Sequence, residues 1–139
     1  MSQRLVPPPS LLVFASSEMV ASSGGYSPSA AKPSAVLEDW RSKGLPIDLR
    51  AVVPATGADL ARAHDAAFVA DVLGGRRANG FGNCSPEVAA SLPFTTGAML
   101  TAARHVLSLS TSSLRFACAP VSGFHHAGYA RADGFCTFN

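Results

Sequence analysis

Charged residues are scarce in this sequence. Asp, Glu, Lys and Arg make up 14% of its 139 residues, whereas 47% are hydrophobic. Such a composition excludes global disorder, and the length suffices for one domain with its own hydrophobic core. The charged fraction is nevertheless low for a small domain that must cover its own surface. We therefore expect one face to be buried against something else, as in a piece of a larger body.

Clusters of basic residues are also lacking. The net charge is only +2, and Arg76 and Arg77 are the one place where two basic residues adjoin. Proteins that bind nucleic acids usually carry a basic stripe along one face or helix. The sequence therefore gives no reason to expect a nucleic acid as a partner.

Cysteine is sparse and irregularly spaced. The chain has three cysteines, Cys84, Cys118 and Cys136, and no Cys-x-x-Cys pair. An odd number without close pairs argues against both a disulfide framework and a cysteine–zinc module. A reducing compartment fits this pattern best.

Long hydrophobic runs are absent. The apolar run at residues 11–15 is too short for the hydrophobic region of a signal peptide, and three prolines precede it. No stretch approaches the roughly 20 apolar residues that span a bilayer. We therefore expect a cytoplasmic protein without a membrane partner.

Short apolar segments alternate with helical patterns along the chain, which favours an α/β protein with a mainly parallel sheet flanked by helices. The predicted strands cover residues 11–15, 49–53 and 114–120. The predicted helices cover residues 34–43, 57–73 with a break at 64–65, and 86–107 with a break at Pro93. Residues 1–10 are expected to form a flexible arm, 16–34 a loop, and 120–139 an active-site loop beyond the last strand.

Two adjacent histidines, His125 and His126, dominate that last loop. They can flank a reacting group, one accepting and one donating a proton, because imidazole titrates near neutrality. For an arbitrary pair, the alternative is one exposed histidine and one structural histidine. Here Gly123, Gly128 and Gly134 permit tight turns around the pair and favour a functional role.

The surrounding residues resemble a family signature. G-F-H-H-A at 123–127 is followed by G-F-C-T-F-N at 134–139, and V-P-A-T at 53–56, His64 with its neighbour Asp65, and N-G-F-G-N-C-S at 79–85 agree more weakly. These motifs resemble the histone deacetylase and acetylpolyamine amidohydrolase family, the zinc-dependent members of the arginase/deacetylase fold. The resemblance runs from about residue 35 onward and covers less than half of a complete family domain. It therefore implies the N-terminal part of an arginase/deacetylase-like α/β fold.

The resemblance implies a role for each matching residue. His125 and His126 would be the tandem proton-transfer pair, the second as general base and the first as an electrostatic or acidic assistant. Gly134 would offer its carbonyl to the substrate amide N–H. Phe135 would form one wall of the acyl-lysine channel, with Cys136 close behind it. The complete enzyme would hydrolyse an N-acetyl amide of lysine or a polyamine.

The sequence departs from the family pattern in three respects. Asn83 stands where many members carry an Asp at the channel rim, so it can still accept a hydrogen bond but lacks the charge. The stretch 16–34 lacks the family's His-Pro-Glu-Arg pattern. The zinc ligands that the resemblance implies would follow the G-F-C segment, and none of those positions is in this sequence.

Zinc is therefore expected in the complete enzyme and not on this chain alone, where no residue is assigned to a metal. Without zinc nothing would lower the pKa of water or polarise the acetyl carbonyl. Three alternatives remain open. The chain is a truncated piece of an enzyme, one half of a split enzyme that a second polypeptide completes, or an inactive fragment or module that binds or assembles. In each case we expect an open sheet edge that self-association or a partner covers.

Three other residues are expected to be structural. His64 stands at a helix junction, where a ring N–H can bond a carbonyl. His105 lies in an amphipathic helix and is expected at the surface. Cys118 lies in an apolar run and is expected in the core.

Overall fold

The computed structural model describes residues 10–109, 116–121 and 124–139. Its elements, in chain order, are strand β1 (Leu11–Phe14), helix α1 (Lys32–Ser42), strand β2 (Ile47–Arg50) and helices α2 (Gly57–Leu60), α3 (Ala66–Leu73) and α4 (Pro86–Ser108). Short 3-10 helices lie at Ser17–Met19 and Pro28–Ala30. The arm expected at residues 1–10 lies outside the described residues except for Ser10.

The sheet is parallel, as the alternation of strands and helices predicted. β1 pairs with β2 in the register Leu11↔Ile47 and Val13↔Leu49. On its other side β1 meets Cys118 through a parallel bridge, with the Cys118 N–H donating to the Leu12 oxygen and the Phe14 N–H to the Cys118 oxygen, both at 2.8 Å. β1 is thus the central strand. Residues 114 and 115 of the predicted third strand lie outside the described residues.

The second strand was predicted too far along the chain. It ends at Arg50 because the following residues turn away from β1 and cross α4. The Val53 N–H donates to the Thr101 hydroxyl at 3.2 Å, and the Ala55 N–H to the Pro93 oxygen at 2.8 Å. At this crossing a Cβ on Gly97 would lie only 2.3 Å from the Val53 oxygen. We call residues 51–55, which leave β2, the strand exit. Its close approach to α4 requires glycine at position 97.

Pro93 does not break the long helix, contrary to the prediction. A proline in a helix interior costs about 3 kcal/mol because its N–H is missing and its ring crowds the preceding turn. Burial on either side of it offsets this cost: Val88, Leu92 and Ala98 of α4 are all buried. The Pro93 carbonyl also accepts the Ala55 N–H, so the helix and the strand exit support each other.

The break predicted at residues 64–65 is confirmed. Thr56 begins α2 with a capping box, in which the Asp59 N–H donates to the Thr56 hydroxyl at 3.1 Å and the Asp59 carboxylate accepts the Thr56 N–H at 2.9 Å. Asp65 caps α3 by accepting the Phe68 N–H at 2.8 Å. His64 is therefore presented at the junction between the two helices.

Helix α1 begins at Lys32, two residues before the predicted start, with Pro33 in its first turn. The stretch 16–34, predicted as loop, thus holds two 3-10 helices and the start of α1.

Two apolar clusters form the core. One joins α2, α3 and α4 with Phe138, and its largest buried side chains include Phe68, Val72 and Leu92. The other joins Val13 of β1 with Ala15, Met19, Leu37 and Ala98 of α4. Within the described ranges, no helix combines the length and apolar character that crossing a bilayer requires.

Candidate active site

The imidazoles of His125 and His126 lie side by side on the surface. Their ring centroids are 4.0 Å apart at an interplanar angle of 45°, and both residues are exposed. Neither side chain is locked inside the core. The pair is therefore open to a molecule that approaches from solvent.

The His126 ring rests directly on Gly134. A Cβ built on Gly134 would lie 2.8 Å from the His126 Cγ and 2.9 Å from its Cδ2, and the Gly134 φ is +52°. Both the conformation and the contact exclude a side chain. The structure thus brings together His126 and the glycine eight positions further along the chain.

Gly134 and Phe135 form the tip of a tight turn. The Asp133 N–H donates to the Cys136 oxygen at 2.9 Å, and the Cys136 N–H to the Asp133 oxygen at 2.8 Å. Phe135 has φ +65°, and it is the only non-glycine residue with positive φ among those described. Two consecutive positive φ values are the pattern of a type I′ turn. For a bulky residue this conformation costs of order 1–3 kcal/mol, so surrounding contacts must hold it.

Contacts from two other segments hold Phe135. Its N–H donates to the Gly80 oxygen at 3.0 Å. The Phe81 ring lies 5.8 Å from the Phe135 ring, and the Tyr26 ring meets it edge-on at 5.6 Å. Three aromatic rings from distant parts of the chain therefore meet beside the histidine loop. No spacing in the sequence connected Tyr26 with Phe135.

The glycine-rich loop at 79–85 lies against the G-F-C segment. A Cβ on Gly80 would fall 2.6 Å from the Cys136 carbonyl carbon, and the Gly80 N–H donates to the Thr137 hydroxyl at 2.9 Å. Cys136 is 1% exposed and so lies behind the turn. A mostly apolar cavity adjoins it, with Met19, Phe81, Leu92, Phe124, Phe135 and Phe138 among its lining residues.

The Asn83 side chain bonds within its own loop and to Ser23. Its Nδ2 donates to the Ser23 oxygen at 2.8 Å, while its Oδ1 accepts from Asn79 Nδ2 at 2.9 Å and from the Ser85 N–H at 3.0 Å. Both lone pairs of the amide oxygen are thereby used. In this arrangement Asn83 joins the glycine-rich loop to the segment that carries Tyr26.

Each backbone carbonyl in the four residues after His126 has a partner. The Ala127 oxygen accepts from Asn139 Nδ2 at 2.6 Å, and the Gly128 oxygen faces His64 Nδ1 at 3.0 Å. The Tyr129 oxygen accepts the Asp65 N–H at 2.9 Å. The fourth bond runs from Arg77 to the Ala130 oxygen at 3.1 Å. The backbone that leaves the histidine pair is therefore fixed by the α2–α3 junction and by Asn139.

The other titratable candidates take structural positions. His105 is half-buried, with its ring 5.5 Å from that of Phe14 at the end of β1, so it lies at the surface but is less exposed than predicted. Cys118 is partly buried beside β1, and this burial raises the pKa of its thiol. Across the described part of the chain, no three His, Cys, Asp or Glu residues converge in a way that could hold a metal ion.

Comparison with known proteins gives the family to which this α/β fold and its histidine pair belong. The histone deacetylase domain profile matches residues 27–139. This chain therefore belongs to the histone deacetylase family, as the resemblance of its motifs predicted. No curated protein sequence matches it.

A solved structure agrees on the fold. The crystal structure of the HD domain of HDA15 superposes with a TM-score of 0.75 at 18% identity. The match covers 94% of this chain and 41% of that one, so the chain spans about two fifths of the HDA15 chain. The expectation of a partial deacetylase-like α/β fold is confirmed.

Proposed function

We propose that this chain is part of a zinc-dependent deacetylase that hydrolyses N-acetyl amides, such as acetyl-lysine or an acetylpolyamine. One observation carries the proposal. The exposed His125 and His126 imidazoles are 4.0 Å apart, and the second ring contacts the Gly134 turn that presents Phe135. A proton acceptor, a proton donor and an aromatic wall are thus adjacent.

In this proposal the two rings move protons at the scissile amide. His126 accepts a proton as the general base, and His125 beside it assists electrostatically or as an acid. The Gly134 carbonyl accepts the substrate amide N–H, and Phe135 lies along the alkyl chain. Cys136 packs behind the turn and keeps it in place. Asn83 orders the loop at the rim. Its second Nδ2 proton, which makes no contact with Ser23, is the group that it offers to a substrate.

Zinc belongs to the proposal for the complete enzyme. The described residues do not bring together a set of side chains that fits the metal. We therefore assign no zinc ligand and no zinc-dependent step to them, and propose that ligands are supplied elsewhere, either by further residues or by a second polypeptide.

The proposal extends to the partner and the compartment. Large apolar side chains are exposed in β2, in the strand exit, in the second half of α4 and next to Cys118. We call Leu49, Val53, Met99, Leu107 and Phe116 the exposed apolar set. We propose that the remainder of a deacetylase fold, or a second copy of this chain, covers them. A cytoplasmic location fits the free cysteines.

A second candidate function is binding without catalysis. It is favoured by the lack of a metal-holding group among residues 10–109, 116–121 and 124–139. Such a module would bind an acetylated amine at the Phe135 surface, or another polypeptide at the exposed apolar set, without releasing acetate.

Zinc content, native mass and acetate release, measured on one purified sample, separate the two functions. Release from an acetyl-lysine peptide or an acetylpolyamine, together with stoichiometric zinc and loss of release in His126→Ala, supports the enzyme. His105→Ala is the control, because His105 lies away from the histidine pair, against Phe14. A zinc-free species that binds either compound without hydrolysis supports the binding module. Neither binding nor release, with added zinc and with the ligand-bearing remainder of the fold present, would overturn both.

A further inference from the structure

His64 is a buried titratable side chain that the proposed reaction does not use. It is 1% exposed, and its ring lies between the rings of Phe68 and Phe138, at centroid distances of 5.8 and 5.4 Å. It nevertheless makes polar contacts with both ends of the segment that follows the histidine pair. A purely space-filling role would not require these contacts.

The hydrogen bonds of His64 define one tautomer. The backbone N–H of Asn139 lies 2.8 Å from the His64 Nε2, and because an N–H can only donate, Nε2 must be the acceptor. The ring proton must therefore be on Nδ1. This nitrogen faces two acceptors, the Gly128 oxygen at 3.0 Å and the Tyr129 oxygen at 3.3 Å. The ring is neutral in this arrangement, since a second proton would point at the Asn139 N–H.

Two of these contacts, those with Gly128 and Asn139, lead to backbone that lies within two residues of His126 along the chain. Gly128 is two residues after His126, and Asn139, whose N–H is bound by His64, donates from its side chain to the Ala127 oxygen at 2.6 Å. The carbonyls of the two residues that follow His126 are thus held by His64 and by a residue that His64 itself orients. Rotation of this backbone would move the His126 ring relative to Gly134, at a contact that has no room for a Cβ.

We propose that His64, as the neutral Nδ1–H tautomer, is a positioning residue that sets the placement of the His126 imidazole. It acts through the Gly128 carbonyl and through Asn139, and it does not contact the reacting atoms. Only the catalytic consequence of this placement rests on the proposed function.

The first test needs no variant. Long-range proton–nitrogen correlation spectra of the full chain distinguish a protonated from an unprotonated ring nitrogen. We expect the His64 ring to show a protonated Nδ1 and an unprotonated Nε2 at neutral pH. An Nε2–H ring, or rapid exchange between tautomers, would overturn the proposal.

The second test uses two conservative substitutions that each keep one half of the ring's bonding. His64→Asn places an amide donor where Nδ1 stands, and His64→Gln places an acceptor near Nε2. We expect His64→Asn, which keeps the direct bond to the Gly128 oxygen, to shift the His126 ring resonances only slightly and to speed hydrogen exchange of the Asn139 amide roughly three- to tenfold, as loss of one buried hydrogen bond predicts. His64→Gln should keep the Asn139 amide protected but displace the His126 resonances further than His64→Asn does.

His105→Asn is the matched control, because His105 packs on Phe14 rather than on the active-site loop. Equal effects of both His64 substitutions on both probes would indicate a merely structural role and contradict the proposal, as would unchanged His126 resonances in both. If either variant fails to fold, the tautomer measurement on the wild-type chain decides. None of these measurements depends on acetate release, so the expected spectra together with absent hydrolysis by the completed, zinc-loaded enzyme would refute the proposed function alone.

Discussion

Two regions of the molecule, the histidine loop and the exposed apolar set, differ in how many of their groups have a partner within the chain. Around the histidine pair, the carbonyls of four successive residues have partners, and Gly80 and Gly134 are in contact with neighbouring segments. By contrast, the exposed apolar set includes Leu107, 78% exposed, and Phe116, 54% exposed. The difference indicates that this chain organises the histidine part of the site by itself but does not cover its own sheet and helix.

The largest expected effect comes from the point where the strand exit crosses α4. Gly97→Ala should destabilise the fold by about 3 kcal/mol or more, because its Cβ would overlap backbone atoms that cannot move independently. Those atoms are the Val53 oxygen at 2.3 Å and the Pro54 Cα at 2.8 Å. Urea unfolding followed by circular dichroism measures the loss. Gly57→Ala is the control, since no atom lies within 4 Å of its Cβ position; equal stabilities of the two variants would show that the crossing is looser than described.

The next effect separates the cost of backbone strain at Gly134 from the cost of its contact with the His126 ring. Gly134→Ala should cost about 1–3 kcal/mol and displace the His126 ring. Gly82→Ala is a matched control, because Gly82 has φ +76° but nothing within 4 Å of its Cβ position. Gly82→Ala should therefore lose only the stability that corresponds to backbone strain, and it should leave the His126 ring resonances unchanged. If the two variants lose the same stability and neither shifts His126, the packing of that ring on Gly134 is refuted.

Stability aside, the exposed apolar set should drive association. Replacing Leu107 and Phe116 together with Gln should weaken self-association roughly tenfold, since large apolar side chains contribute most to such contacts. Sedimentation over a range of concentrations measures it. Tyr129→Gln is the control on the histidine side, because Tyr129 is also exposed, at 68%. A wild-type chain that stays monomeric at every concentration would exclude a second copy of this chain as the partner.

The smallest effect concerns the cap of α2. Hydrogen bonds from the Thr56 hydroxyl and backbone N–H, and then the Arg104 guanidinium, lower the pKa of Asp59 below its usual value. A carboxyl with a depressed folded-state pKa stabilises the fold above its unfolded pKa, near 4, and loses this contribution as the pH falls through the folded value. We therefore expect thermal unfolding of Thr56→Ala to depend less on pH below about pH 4 than that of the wild type. Identical pH profiles would exclude this role for Asp59.

Local signals in the sequence predicted much of this fold. Helix caps can be predicted from sequence because each joins residues three positions apart. This holds for Thr56 with Asp59 and for Asp65 with Phe68. Pro93 misled the prediction because its local cost is offset by burial and by the Ala55 N–H, which comes from a distant strand exit. Local propensity carries no information about such a partner.

The candidate site was predictable only in part. The resemblance of the motifs placed His125, His126 and the Gly134 turn in one site, and the structure brings His126 and Gly134 into contact. The roles of Tyr26 and Asn139 were missed. Tyr26 lies in a stretch without a recognisable motif, and although Asn139 belongs to the G-F-C-T-F-N motif, the bond from its N–H to His64 spans 75 residues. The contact between Tyr26 and Phe135 depends on tertiary packing alone.

The most direct measurement of the central claim is a nuclear Overhauser experiment on the full chain. If this chain builds the histidine half of a deacetylase site, strong cross-peaks should join the His126 ring protons to the Gly134 Hα protons, since a Cβ on Gly134 would lie only 2.8 Å from the ring. Cross-peaks from His126 to core residues alone, or none between the ring and Gly134, would contradict the account.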